Sequence, residues 1–283
     1  MPLALILSSY VAASRIGGGA QLHALAEFGV DPVLVPTVMF GASPAKAGKG
    51  RAVDAELFAQ LLEGLDVQDL IGRIDLVVTG HFSLPEQVVM ARETVERVRA
   101  ADRTGAARPR PIVVVDPILG DAPKGLYVKP EVARALADQL VPVADWITPN
   151  LWELSWLSGM EATDAASAAE AARRLGRPAL VTSVPGSADE IGLLCCVPDE
   201  TVLVAHKRRE GAPNGTGDLV CAAFAAGLVN GLSPAAAAEG AAAAVAETLS
   251  AAAAEPCPVD LPLVALGERL ARPIAGVRVE KLA

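Results

Sequence analysis

Aromatic residues are few in this 283-residue chain: three Trp, two Tyr and five Phe, or 4% of the total. Hydrophobic residues nevertheless make up 52%, so a sizeable core must be built from Ala, Val and Leu. Cysteine is scarce as well. Cys195 and Cys196 are adjacent, Cys221 lies in an apolar stretch and Cys257 in a Pro-flanked loop. Neighbours in a strand point to opposite faces, so the four do not form a disulfide framework. There is no C-x-x-C and no His/Cys cluster with zinc spacing. This cysteine usage points to the reducing cytoplasm. Positive charge is also in deficit. The net charge of −9 argues against a nucleic-acid surface, which needs a basic stripe. An anionic ligand must then be held by local donors.

Two apolar stretches invite a membrane reading and fail it. The stretch 3–9 has no cation before Arg15, so it lacks the basic region of a signal peptide and reads as a buried first strand. The Ala-rich run 235–254 carries Glu239 and Glu247. Ala contributes little transfer energy, so the run reads as a buried or amphipathic helix. With no internal repeat and no long Ser/Pro/Gly linker, one domain spanning 1–283 is expected.

What is present is an alternation of short β-branched runs with helical segments. The pattern predicts strands at 3–9, 32–38, 75–79, 112–116, 146–148, 179–183, 192–197 and 202–206. It predicts helices at 18–28, 55–63, 85–100, 130–140, 151–157, 165–175, 218–229, 234–253 and 261–271. Such βαβα order implies a mostly parallel sheet covered on both faces. The strands at 192–197 and 202–206, joined by Pro198-Asp-Glu-Thr201, read as an antiparallel hairpin. One irregular segment, GASPAKAGKGRA at 41–52, is either plain surface loop or a lid over a site. As a lid, it would turn Lys46, Lys49 and Arg51 toward a polyphosphate.

The most informative motif is Asn214-Gly215-Thr216-Gly217-Asp218, ahead of an apolar helix. The free N–H groups of a first helical turn make an anion site, and glycines let backbone approach a phosphate closely. Asp218 beside a bound phosphoryl group can take a proton from an attacking hydroxyl. Asp and Gly are also ordinary helix-start residues, so the surroundings must decide.

In open α/β sheets, ligands bind beyond the carboxyl ends of the strands. The predicted strand exits carry Ser8, Ser9 and Tyr10; Thr79-Gly80-His81; Asp116 to Asp121; Thr148-Pro-Asn150-Leu-Trp-Glu153; and Thr182-Ser183. Carboxylates near phosphate need neutralising, a task for Mg²⁺ held through waters and one or two carboxylates. Asn150 and Glu153 also fit a capping box, which does not preclude metal duty for Glu153. His23 and His206 read as structural, which leaves His81 as the one site histidine.

These segments resemble the pyridoxal kinases of the ribokinase superfamily. Asp116-Pro-Ile-Leu-Gly-Asp121 is similar to their D-P-V-[ML]-G-D, and Thr148-Pro-Asn-Leu-Trp-Glu-Leu154 to their [TA]-P-N-x-x-E-L. Asn214–Asp218 is similar to the superfamily's G-[TV]-G-D. Ser9 with Gly17, residues 36–40, Thr79-Gly80-His81 with Glu86-Gln87, and the end at 276–282 follow the same order. The resemblance implies a ribokinase-like three-layer α/β sandwich. It also implies ATP-dependent phosphorylation of the 5-hydroxymethyl group of pyridoxal or a related B6 vitamer, by a cytoplasmic homodimer. Asp218 would be the base, and Gly215, Thr216 and Gly217 the anion hole. Asp116, Asp121 and Glu153 would organise Mg²⁺ and a monovalent cation such as K⁺, with Asn150 near the phosphates. Thr182 and Ser183 would lie along the nucleotide, and Ser9, Thr37 and His81 would meet the substrate ring.

The chain departs from that family in the acceptor region. Where the family reads V-x-Y-G-H-V-G-N, this chain has Ala13, Arg15 and Gly18 at the aromatic, His and Asn positions. The family's Tyr after Thr-Gly is His81. The phosphate chemistry is retained while the ring pocket is altered, which keeps hydroxymethylpyrimidine or a sugar open as acceptors. A vitamin-binding protein with vestigial catalysis is a further alternative. A dinucleotide oxidoreductase, prompted by Gly17-Gly18-Gly19, fails because seven residues separate strand and glycines and Leu22 takes the last glycine position.

Overall fold

The computed structural model describes residues 1–283 apart from Ala47, Pro256 and Ala283. In chain order the strands are β1 (Leu3–Val11), β2 (Asp31–Phe40), β3 (Gly50–Ala52), β4 (Ile74–Thr79), β5 (Ile112–Val115), β6 (Gly120–Asp121), β7 (Gly125–Leu126), β8 (Trp146–Ile147), β9 (Ala179–Pro185), β10 (Glu190–Val197), β11 (Glu200–Lys207) and β12 (Arg278–Leu282). The helices are α1 (Gly18–Glu27), α2 (Ala55–Val67), α3 (Pro85–Ala100), α4 (Pro130–Ala135), α5 (Leu151–Ser158), α6 (Ala165–Leu175), α7 (Thr216–Val229), α8 (Pro234–Ala254) and α9 (Leu263–Leu266).

Ten strands form one sheet in the order β12-β11-β10-β9-β8-β5-β4-β1-β2-β3. From β2 to β9 every pairing is parallel. The outer pairings, β9 to β12 and β2 with β3, are antiparallel. A parallel strand with helices on both faces has no wet side, and β4 is buried at all six of its positions. Alternation divides its neighbours between two cores. Ile6, Val78, Val114 and Trp146 face α1, α7 and α8, whereas Leu5, Val77, Val113 and Ile147 face α2 to α6. Cys195 and Cys196 fall into opposite cores. Trp146 stands edge-on to Phe224 of α7, with centroids 4.9 Å apart. The result is the expected three-layer α/β sandwich.

Side chains at the entries fix the helix starts. Asp54 accepts from the Leu57 N–H and Asp164 from the Ser167 N–H, and Ser233 accepts from the Ala236 N–H. α7 is apolar on every side and lies against α8 through small residues. A methyl added at Gly227 would sit 2.8 Å from the Ala237 Cβ.

The predicted strands and the hairpin β10–β11 are present, most of them longer than expected. Four short strands, β3, β6, β7 and β12, were not foreseen. The helix expected over 261–271 shrinks to α9 plus a 3₁₀ turn at Gly267–Arg269. Pro262 and Gly267, the latter at φ 49°, interrupt it. The stretch 41–52 is not plain loop. It carries a 3₁₀ turn at Pro44–Lys46 and then β3; Ala47 within it lies outside the described residues. No helix among the described residues is long and apolar enough to cross a membrane.

Candidate functional site

The site forms where the parallel strands end and α7 begins. Gly215 precedes α7 at φ 94°, and a Cβ there would press on Ile16 and on the Arg15 carbonyl at about 3 Å. Only glycine fits such a turn without strain. Next come the first-turn N–H groups of Thr216, Gly217 and Asp218, which a helix leaves without internal acceptors. α7 is 14 residues long, so its positive end supports anion binding.

Asp218 is anchored by one oxygen and unpartnered at the other. Its Oδ2 accepts the Gly17 N–H at 2.8 Å. Its Oδ1 is shielded from bulk solvent and has no hydrogen-bond partner. Burial pushes its carboxyl up to about 6, against the pull of the Gly17 bond. At neutral pH it is therefore an ionised but comparatively basic carboxylate.

Asp116 follows β5 and is buried. Burial holds its carboxyl well above the ordinary range, and Glu153 and Asp218 push the same way. Beyond it the chain turns through Ile118, a non-glycine residue at φ 41°, into the hairpin β6–β7. Glu153 braces that turn. Its Oε1 accepts the N–H groups of Leu119 at 2.7 Å and Gly120 at 3.3 Å, and its Oε2 accepts the Asn150 N–H at 2.9 Å. Asn150 completes the capping box by accepting from the Glu153 N–H at 2.9 Å, and it donates to the Gly120 carbonyl at 2.9 Å. Burial and the nearby Asp121 raise Glu153 to about 7 despite these bonds. Asp121 keeps one buried oxygen, Oδ1, without a partner.

This arrangement calls for a cation. Glu153 and Asp218 raise the proton affinity of Asp116, Asp121 raises that of Glu153, and Asp121 and Asp218 each leave an oxygen unpartnered. Among the described residues no three His, Cys, Asp or Glu side chains converge as a complete protein cage. That donor set fits Mg²⁺, which retains waters and takes one or two carboxylates plus phosphate oxygens.

Asp116, Asp121, Asn150, Glu153, Thr182, Ser183 and Gly215 to Asp218 all line one cleft of about 760 Å³. Arg208, which the sequence reading passed over, lines it too. Its signal was the basic run Lys207-Arg208-Arg209 just ahead of the glycine turn. An adjoining hollow of about 420 Å³ shares Thr182, Ser183 and Arg208 and continues between Ile191, Leu193, Val220 and Leu249. Thr182 donates its N–H to the Pro149 carbonyl, and Ser183 sits at φ 63°. Lys46, Lys49 and Arg51 do not line the cleft.

The acceptor-side residues lie next to the cleft rather than in its wall. Ser9 is against Gly17, where an added Cβ would come within 2.2 Å of the Ser9 Oγ. Thr37 is fully buried, and its hydroxyl donates to the His81 carbonyl. It thus shapes the pocket from behind and does not present its hydroxyl to a ligand. Gln87 holds the same corner by donating to the carbonyls of Thr37 and Val53, both at 2.7 Å. The His81 ring lies 3.3 Å from the Ser83 hydroxyl and meets Phe40 edge-on at 6.5 Å. Burial lowers it to about 4, so it is a neutral ring under ordinary conditions.

Comparison with known proteins gives a consistent result. The sequence profile of the family described as Phosphomethylpyrimidine kinase matches residues 17–257. A pyridoxine/pyridoxal/pyridoxamine kinase of Bordetella avium is 32% identical over 235 residues, covering 80% of this chain and 77% of that protein. A pyridoxal kinase of Photobacterium profundum is 31% identical over 238 residues, covering 81% and 80%. Among solved structures, pyridoxal kinase from Leishmania donovani in complex with ADP and pyridoxamine superposes with a TM-score of 0.91 at 26% identity. That match covers 100% of both chains.

Proposed function

The chain belongs to the phosphomethylpyrimidine kinase family, alongside the pyridoxal kinases, and from that premise we propose that it transfers the γ-phosphoryl group of ATP to the 5-hydroxymethyl group of pyridoxal or a related B6 vitamer. The observation that carries the proposal is the buried, unpartnered Oδ1 of Asp218, a residue that lines the 760 Å³ cleft with the first turn of α7.

Each residue has a definite task in this reading. ATP lies in the cleft, with its base in the apolar hollow beside Thr182 and Ser183. Arg208 supplies the local positive charge that an acidic protein cannot supply globally. The N–H groups of Gly215, Thr216 and Gly217 point at the γ-phosphoryl and stabilise charge on its equatorial oxygens. Gly17 orients Asp218, and Asp218 Oδ1 accepts the proton of the substrate hydroxyl as the oxygen attacks in line. Asp116 and Asp121 would hold Mg²⁺, with Glu153 acting through water; when bound, the ion neutralises phosphate charge. A monovalent cation such as K⁺ would share the Asp116 region. Ser9 and His81 would meet the ring, with Thr37 and Gln87 fixing the pocket around them. Much of the rate then comes from positioning and charge neutralisation.

The same reading makes the whole chain a single kinase domain that works in the cytoplasm as a homodimer, with 41–52 as its lid. A second acceptor class stays in view for one reason: Ala13 is exposed where the family carries an aromatic, so ring stacking is weakened. The deciding experiment is a turnover panel with ATP and Mg²⁺ across B6 vitamers, hydroxymethylpyrimidine and small sugars. Highest kcat/KM on a B6 vitamer supports the proposal. Preference for pyrimidine or sugar reassigns the acceptor, and no transfer to any alcohol leaves a binding protein.

A further inference from the structure

Asp260 lies outside the cleft, in the loop before α9, and nothing in the reaction above uses it. It is buried, with the unusual backbone φ of 69°. Asp tolerates the left-handed region better than most residues, yet a side chain held there marks a constrained position. Both carboxylate oxygens are engaged. Oδ2 accepts the hydroxyl of Ser14, also buried, and Oδ1 lies 3.8 Å from the Lys46 ammonium.

The partners come from segments that border the site. Ser14 belongs to the stretch between β1 and α1, the same stretch that supplies Gly17 to Asp218. That stretch is also tied to the Asp260 loop by the Arg15 N–H donating to the Val259 carbonyl at 3.1 Å. Lys46 sits on the 41–52 segment, whose base is bonded to the Ser14 stretch through Ala12 N–H to Phe40 and Ala13 N–H to Gly41. The next residue, Leu261, approaches Gly215 closely enough that an added Cβ there would be 3.1 Å from its Cδ1. Asp260 therefore stands where the acceptor stretch, the 41–52 segment and the anion turn converge.

Apart from Ala47, the 41–52 segment has a definite shape. Gly48 packs so tightly that a Cβ would fall 1.9 Å from the Ala42 carbonyl oxygen, and Gly50 lies on the Phe40 ring. It is tied to the body at its base, at the Phe40 and Gly41 carbonyls, and near its tip by Lys46. The Lys46 side chain is 59% exposed. With the ammonium exposed, the pair is screened by solvent and contributes little to global stability, so its effect falls on the segment it tethers.

We propose that Asp260 is a positioning residue that clasps the 41–52 segment to the acceptor stretch, keeping the segment closed over the alcohol while Gly17 holds Asp218. The proposal rests on the kinase reading given above. A closed cover keeps water from competing with the alcohol for the phosphoryl group. Opening the clasp therefore weakens alcohol binding and lets water act as the acceptor.

The test uses Lys46→Met, Lys46→Arg and Asp260→Asn in the full chain, assayed with ATP, Mg²⁺ and the acceptor that the wild-type protein turns over best. In Lys46→Met the alcohol KM is expected to rise about two- to fivefold, with kcat and the ATP KM nearly unchanged and more ATP hydrolysed without acceptor. Lys46→Arg restores both values, and high salt drives the wild type toward the variant. A raised ATP KM with an unchanged alcohol KM would overturn the clasp, because Lys46 would then contact the nucleotide. Hydrogen exchange over 41–52 is the readout that needs no turnover. It should quicken in Lys46→Met and in Asp260→Asn, and unaltered exchange in both would also overturn the clasp. If the wild-type chain phosphorylates no alcohol, the kinase reading fails, and exchange alone still decides the clasp.

Discussion

Gly17 donates its backbone N–H to Asp218 Oδ2 at 2.8 Å, joining residues 201 positions apart in the chain. The bond takes up one carboxylate oxygen and leaves the other without a partner. In the proposed mechanism it makes the start of α1 part of the reactive centre. A Cβ at position 17 would fall 2.2 Å from the Ser9 Oγ, and its φ is 59°. Gly17→Ala is therefore expected to cost about 1–2 kcal/mol in stability and to lower kcat at least tenfold. Denaturant titration and steady-state kinetics on the same preparation check both values; a near-wild-type kcat would show that Asp218 needs no such anchor.

Asp218→Asn keeps the shape and the acceptor for Gly17 but cannot take a proton. Turnover should fall by about 10²–10⁴, while calorimetric ATP binding changes little. If the variant retains most of its turnover, the base lies elsewhere.

The pH profile follows from the same carboxylate. A base with its pKa raised to about 6 is protonated, and idle, below that value. The rate at limiting alcohol should climb with pH through about 6 and then level off. A profile already flat from about pH 5 upward would contradict the assignment.

Stability should run the opposite way with pH. Asp116, Glu153 and Asp218 all have folded values above their unfolded ones. The folded state therefore binds more protons than the unfolded state, and stability falls as pH rises from the unfolded carboxylate range through about 7, the Glu153 value. The lowered His81 and His206 pull the other way, but only below about 6.5, their ordinary value, so without nucleotide or divalent ion the melting temperature should be higher at about pH 6.5 than at about pH 8. Asp116→Asn should lose this dependence in part and melt a few degrees higher at about pH 8. Thermal scans across pH test the sign directly.

Glu153 gives the last prediction. Its two oxygens hold three backbone N–H groups. Glu153→Ala leaves these donors unpaired and should cost about 2 kcal/mol or more. Glu153→Gln, which keeps one carbonyl oxygen, should cost less. Urea unfolding ranks the two, and equal losses would mean that the brace carries no energy.

Most of the layered fold was legible because central parallel strands are apolar on both faces and set off by helical runs. The short strands were not. β3, β6, β7 and β12 have two to five residues each, too few to set up an alternating pattern. The cleft-wall residues were legible because phosphate chemistry requires glycine and carboxylate at strand exits. The acceptor side was less so. Thr37 reads as a polar residue at a strand end, yet tertiary packing turns its hydroxyl onto the His81 carbonyl. Asp260 gave no signal, since its partners Ser14 and Lys46 are remote in sequence.

The contact of Gly227 with Ala237 reaches further than packing. α7 is a stiff rod with Asp218 near one end and Gly227 nine residues on, roughly 13 Å along its axis. A bulkier residue at 227 would wedge α7 away from α8 and tilt the whole rod, swinging the carboxylate off its target like the long arm of a lever. Loss of turnover can thus originate at a position that never meets a ligand.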